Sequence, residues 1–155
     1  MEVELVRVSI EDTELVWNMQ LKAFEALLIK YQDFDVSPGN EPLEKVIERL
    51  KQPFTYYYLI KMDGMAVGAI RVVDRKDETS RKRVSPLFVL PEYQNKGIAQ
   101  WALSEVERIH GSERWKLDTI LQERGNCYLY EKMGYKVTGE TKAVNERMTL
   151  VFYEK

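Results

Sequence analysis

The stretch Leu87-Phe88-Val89-Leu90-Pro91-Glu92-Tyr93-Gln94-Asn95-Lys96-Gly97-Ile98-Ala99 decides how the whole chain is read. Leu87 to Leu90 is a short apolar run that reads as a buried strand. Pro91 has no N–H to give a sheet ladder and stops it. Beyond the polar turn, Ala99, Ala102, Leu103, Val106 and Ile109 recur at helical spacing. A strand that passes through a Gly-containing turn into a helix start gathers several backbone N–H groups in one concave spot. The positive end of the helix dipole lies there too, which favours an anion, most naturally a phosphate. The turn is not a nucleotide P-loop, because Lys96 precedes Gly97 and no Gly-Lys-Ser/Thr follows. Nor does it carry the Gly-x-Gly-x-x-Gly dinucleotide fingerprint.

Upstream, Val3, Leu5, Val6, Val8 and Ile10 suit a first strand. Asp12 or Thr13 can cap a long helix to about Tyr31, with Leu15, Met19, Ala23, Phe24, Leu27 and Leu28 on its apolar face. Asp33 to Pro42 is a loop, and Pro42 suits the first turn of a second helix reaching about Gln52. Thr55–Met62 and Met65–Val73 flank Asp63-Gly64, a strong hairpin signal. The run Asp74–Arg83 alternates in sign and reads as a solvated hairpin tip before a strand at Val84–Leu90. Downstream come a helix over Ala99–His110 stopped by Gly111, and a strand at Trp115–Ile120. A shorter helix over Asn126–Met133 is ended by Gly134, and closing strands follow at Tyr135–Gly139 and Arg147–Tyr153. The order β-α-α-β-β-β-α-β-α-β-β implies a mixed sheet flanked by helices.

A chain of 155 residues is most economically a single domain, here residues 1–155. Its 45% hydrophobic and 31% charged residues are those of a soluble globular protein, and a net charge of −2 gives no basic field for nucleic acid. Arg81-Lys82-Arg83 is only a small basic patch in a slightly acidic chain. Met1 to Ile10 lacks a signal-peptide layout, and no apolar run approaches membrane-spanning length. The single cysteine, Cys127, allows no internal disulfide, which fits a reducing cytoplasm, and with the single His110 it makes no metal set. His110 stands at a helix end, where a positive charge would favour the dipole.

Leu87–Ala99 resembles the pyrophosphate-binding motif of the GNAT superfamily of N-acetyltransferases: strand, Pro, then Gln/Arg-x-x-Gly-x-Gly/Ala. Gln94, Lys96, Gly97, Ile98 and Ala99 all fit it. Leu129-Tyr130-Glu131-Lys132-Met133-Gly134-Tyr135 is similar to that family's second hallmark, Leu-Tyr-x-Lys-x-Gly-Phe/Tyr. The resemblance covers nearly the full chain and implies the GNAT α/β fold, a mostly antiparallel mixed sheet flanked by about four helices. It also implies transfer of an acetyl group from acetyl-CoA, as co-substrate and without a metal, to a primary amine by direct attack in a ternary complex. Small polyamine, amino acid, antibiotic and protein amino group all stay open as the acceptor, with a small molecule preferred to a protein. Neither nucleic acid nor membrane is implied as a partner, and a homodimer is left open. The other reading of the same motifs is a GNAT-like module that holds acyl-CoA or a protein partner without turnover.

The resemblance assigns roles. Gln94, Asn95, Lys96, Gly97, Ile98, Ala99 and Gln100 would face the cofactor pyrophosphate, largely through backbone N–H groups, with Gly and Ala permitting close approach. A backbone N–H among Leu87, Phe88 and Val89, with Val89 the choice, would hold the thioester oxygen as it gains charge. Tyr130 maps onto the family's Tyr and could protonate the leaving thiolate, whose ordinary pKa is about 8.5. Equally, Tyr128, Tyr130 and Tyr135 suit plain helix–strand packing. Many members carry an Asn two turns before the Tyr, touching the pantetheine arm. In this chain Asn126 lies one turn before it and Glu123 fills the commoner slot, so Asn126 reads either as a ligand or as a helix cap. Glu123 and Asp118 are carboxylates that could take the amine's proton or simply be solvated and strand-end acids. Asp33, Asp35, Glu41 and Glu44 fit a cationic acceptor or a polar surface loop.

Overall fold

The computed structural model describes residues 2–155; Met1, the first residue of the expected domain, lies outside them. Seven strands form one sheet: β1 (Val3–Arg7), β2 (Thr55–Met62), β3 (Met65–Val73), β4 (Lys82–Val89), β5 (Trp115–Ile120), β6 (Lys136–Ala143) and β7 (Thr149–Glu154). Four helices flank it: α1 (Thr13–Tyr31), α2 (Leu43–Lys51), α3 (Ile98–His110) and α4 (Arg124–Lys132). The spatial order is β1-β2-β3-β4-β5-β7-β6. Every adjacent pair is antiparallel except β4 and β5, which run parallel because α3 carries the chain back between them. The mixed, mostly antiparallel sheet with four helices is the expected fold class.

Each face of the sheet has its own core. On one, Val67, Val72, Val84, Val89, Trp115, Leu117 and Tyr153 pack against Ile98, Ala102, Leu103 and Val106 of α3, with Cys127 of α4. On the other, Tyr57, Leu59, Ala69 and Phe88 meet Val16 and Met19 of α1 and Val46 of α2. Alternation along β5 fixes which residues face which layer, while a register shift in the β3–β4 ladder lets both Val84 and Val89 of β4 face α3. Trp115 and Leu117 belong to the α3 layer, so Lys116 and Asp118 face the opposite side, where α1 and α2 lie over β2, β3 and β4.

Several sequence expectations need correction. The first strand stops at Arg7, and Ile10 stands 60% exposed in a short 3-10 turn before α1. Neither proposed cap residue caps α1 through its side chain. The Asp12 carboxylate accepts from the Ser9 N–H at 2.9 Å, and the Thr13 hydroxyl donates back to the Ile10 carbonyl at 2.6 Å. The Asp74–Arg83 run is not wholly solvated, because Asp74 and Lys82 are buried. Asp74 Oδ2 meets His110 Nδ1 at 2.8 Å, and His110 Nε2 meets the Tyr58 hydroxyl at 2.8 Å. His110 is thus walled in by Tyr56, Tyr58 and Trp115 rather than standing free at the end of α3. Burial pushes its pKa down and favours the neutral imidazole, outweighing the Asp74 bond, which pulls the other way. Strand β6 runs on from Lys136 to Ala143, longer than expected and exposed throughout.

Candidate active site

The ladder between β4 and β5 is only two residues long, Lys82 with Trp115 and Arg83 with Lys116. Beyond Arg83 the two strands part, leaving a wedge between them. On its other edge β4 stays paired with β3, through Leu87–Ile70, Phe88–Ala69 and Val89–Gly68, and the Leu90 N–H donates to the Val67 carbonyl at 2.8 Å. Since N–H direction alternates along a strand, Phe88 and Leu90 point toward β3 while Leu87 and Val89 point into the wedge. Gly68 makes this close pairing possible. A Cβ there would stand 2.2 Å from the Phe88 carbonyl oxygen and 3.0 Å from the Val89 Cα. The sequence reading passed over Gly68, although an isolated Gly inside a strand run is the signal of such an approach.

After Val89 the chain makes one 3-10 turn at Pro91–Tyr93 and reaches Gln94. The backbone of Asn95–Gln100 is the stretch expected to face an anion, and its geometry fits one. Asn95 (φ 62°) and Gly97 (φ 80°) both take left-handed conformations, which turns successive N–H groups to the concave side. Gly97 is the N-cap of α3, and the first intrahelical bond runs from the Trp101 N–H to the Gly97 carbonyl at 3.0 Å. The N–H groups of Ile98, Ala99 and Gln100 therefore precede the helical ladder at its positive end. Asn95, Lys96 and Gly97 are exposed, and a Cβ at Gly97 would stand in open space. The side chain of Gln94 does something else: its Nε2 donates to the Val89 carbonyl at 3.0 Å, tying the turn to the end of β4.

Tyr130 comes from α4. Its ring meets Tyr135 edge-on at 6.0 Å and Tyr153 at 6.3 Å, an aromatic cluster on the α3 layer. Tyr153 is anchored by donating to Glu131 Oε2 at 2.7 Å. Burial pushes the Tyr130 pKa up, and the negative charge of Asp118 adds to the rise, so the hydroxyl keeps its proton. Tyr130 thus joins the packing and carries a protonated hydroxyl at once.

Helix α4 starts at Arg124 with Glu123 in the N-cap position, two residues earlier than expected. The reading of Asn126 as a cap is thereby corrected: it lies inside the first turn, exposed. Glu123 is not a free acid either. Lys30 Nζ reaches its Oε2 at 2.8 Å and the Tyr31 hydroxyl donates to the same oxygen. The bond from Lys30, then that from Tyr31, holds its pKa down, so Glu123 is a poor proton acceptor. Glu41 is also spoken for, by Gln20 at 2.7 Å and by both terminal nitrogens of Arg49.

On the face opposite α3, Arg83 Nη2 meets Asp118 Oδ2 at 3.3 Å where the wedge opens. A cleft of about 420 Å³ extends from this pair along β5, β7 and β6, with Phe152, Glu140 and Glu154 among its lining residues. The described residues hold no cluster of three or more His, Cys, Asp or Glu side chains placed to bind a metal, and no helix is long and apolar enough to cross a membrane.

Comparison with curated proteins finds no match. Among solved structures, the fold superposes on spermidine N-acetyltransferase from Vibrio cholerae in complex with CoA and spermine (TM-score 0.76, 13% identity, 97% of this chain and 93% of that one). It also superposes on the ribosomal-protein-S18-alanine N-acetyltransferase of Escherichia coli (TM-score 0.75, 9% identity, 98% and 92%). A third match is the PaiA N-acetyltransferase of Thermoplasma acidophilum in complex with coenzyme A (TM-score 0.70, 18% identity, 100% of both chains). At these identities the likeness establishes the fold. The family model described as an acetyltransferase (GNAT) domain matches residues 53–137, from the start of β2 into β6, and so takes in the wedge, the turn before α3 and Tyr130. With that match over more than half its length, the chain belongs to the GNAT acetyltransferase family.

Proposed function

We propose that the protein transfers an acetyl group from acetyl-CoA to a primary amine of a small acceptor, by direct attack with both substrates bound. The observation that carries this reading is the continuity of donors from the wedge to α3. Outward N–H groups at Leu87 and Val89 and the open first turn of α3 are joined by the Gln94–Val89 bond. Acetyl-CoA would bring the activated acyl group and an anionic pyrophosphate about a pantetheine arm's length apart. The N–H groups from Asn95 to Gln100 meet the pyrophosphate, with the helix dipole behind them. The Val89 N–H holds the thioester oxygen, an interaction that strengthens as the oxygen gains charge. Phe88 turns its side chain to the opposite layer, edge-on to Phe24 at 5.8 Å, and its N–H to β3, so the wedge donors are those of Leu87 and Val89. Tyr130 delivers its proton to the departing thiolate. Lys96 adds exposed positive charge beside the turn, and Asn126 borders the arm from the start of α4. Spermidine appears in the name of one structural relative, which supports a small amine acceptor, while the alanine named in another belongs to ribosomal protein S18. A cytoplasmic location accords with the single buried thiol, Cys127.

The test is acetyl-CoA-dependent release of free thiol across a panel of polyamines, amino acids and aryl amines. Saturable release with at least one of them is the expected result. Acetyl-CoA binding with no release across the whole panel would favour a domain that holds the cofactor without turnover.

A further inference from the structure

The reaction also needs a group to take the proton of an acceptor that reaches the site as an ammonium ion. Glu123 and Asp118 are the two candidate bases of the sequence, with Glu41 among the acids that fit a cationic acceptor, and the structure separates them. Glu123 is held by Lys30 and Tyr31, and Glu41 by Gln20 and Arg49. Asp118 differs. It lies two residues past the last β4–β5 bridge at Lys116, where the wedge has just opened. Its side chain is 27% exposed, and its carboxylate takes one long bond, from Arg83 Nη2 to Oδ2 at 3.3 Å. Oδ1 has no partner among the described residues.

Position and approach agree. The Tyr130–Tyr135–Tyr153 cluster lies in the α3 layer, on the face opposite the Asp118 side chain. On the other side α1 and α2 pack over β2, β3 and β4, while the cleft of about 420 Å³ runs over β5, β7 and β6 and has Arg83 and Asp118 among its lining residues. Phe152, directly across from Asp118 in the β5–β7 ladder, gives that cleft an apolar floor. The charged groups around Asp118 are Arg83 on β4, Lys116 on its own strand, Glu154 on β7 and Glu140 on β6, with the Tyr130 hydroxyl across the wedge on α4.

Resting on the acetyltransferase reading above, we infer that this cleft admits the acceptor as an ammonium ion and that Asp118 receives its proton. The ammonium gives one proton to Asp118. The freed amine nitrogen attacks the thioester carbon, so that a C–N bond forms and the C–S bond breaks. The thiolate takes the Tyr130 proton, the second proton of the nitrogen restores Tyr130, and Asp118 passes its own to water. One ammonium and one thioester thus become one amide, one thiol and one proton.

The experiment compares wild type, Asp118→Asn, Asp118→Glu and Arg83→Gln, with acetyl-CoA and the best amine of the panel, across pH. Asp118→Asn is expected to lower kcat/KM for the amine at neutral pH by roughly 10²-fold, the scale of a lost proton acceptor. Its activity should climb with pH as solution supplies free amine, while calorimetric affinity for acetyl-CoA stays at the wild-type value. Asp118→Glu should recover part of the loss. Arg83→Gln breaks the same ion pair but leaves the carboxylate, and its pH profile should keep the wild-type shape. Two results overturn the inference while leaving the acetyltransferase reading intact: an Asp118→Asn profile superimposable on wild type, or equal displacement of the profile by Asp118→Asn and Arg83→Gln. An inactive wild type would instead defeat the acetyltransferase reading itself.

Discussion

The side-chain amide of Gln94 donates to the carbonyl oxygen of Val89 at 3.0 Å. That carbonyl points into the wedge beside the Val89 N–H, so the bond fixes the distance between the strand end and the turn leading into α3. On the proposed reading, a single side chain would position the sites for both ends of acetyl-CoA. Gln94→Ala removes the tie without removing any backbone donor. One neutral hydrogen bond is worth about 0.5–1.5 kcal/mol, so acetyl-CoA affinity should fall by up to about tenfold. Calorimetry on the variant checks this, and an unchanged dissociation constant would make the bond incidental.

Gly68→Ala tests the pairing that aims Val89. The added methyl would sit 2.2 Å from the Phe88 carbonyl, so β3 and β4 must separate. Overpacking of this kind costs about 1–3 kcal/mol and sometimes more. A clear drop in Tm is expected, together with a kcat loss exceeding the change in acetyl-CoA affinity, read by thermal melting and steady-state kinetics.

Tyr130→Phe leaves the aromatic cluster in place and deletes only the hydroxyl. Burial holds that hydroxyl in its protonated form. Turnover should fall by roughly 10²-fold with little change in Tm or in acetyl-CoA binding. Unchanged turnover would assign Tyr130 to packing alone.

His110 gives a stability signature independent of catalysis. Its folded pKa lies below the ordinary value because burial disfavours the charged ring, with Lys76 and Lys82 adding to the effect against the opposing pull of Asp74. The unfolded chain therefore binds this proton at higher pH than the folded one. The contribution is present above about pH 6.5 and is lost as pH falls through the folded value. Tm should decline between neutral and mildly acid pH in wild type, and His110→Gln should flatten that decline. An equal slope in both proteins would assign the pH dependence to other groups.

Both ends of the proposed cofactor path were legible because they depend on local chemistry. Pro91 ends a strand, Gly97 opens a helix, and the apolar period of α3 needs only its own residues. The α4 start was misread because Asn126 is a better intrinsic cap than Glu123, yet Glu123 is drawn to that position by Lys30 and Tyr31, some ninety residues away in sequence. His110 stands at a helix end, where local reading favours a charged ring, but Tyr58 of β2 and Asp74 after β3 reach its two nitrogens and burial favours the neutral form. The wedge itself could not be read from residue types. It follows from where the β4–β5 ladder stops, and that is set by the packing of whole layers.

The most direct test of the account is a calorimetric titration of the full chain with acetyl-CoA and, separately, with coenzyme A. The expected result is one-to-one binding of both at micromolar dissociation constants, weakened for acetyl-CoA by Gln94→Ala. Absence of binding heat and of competition for either ligand would contradict the assignment of the wedge and the α3 turn to one cofactor.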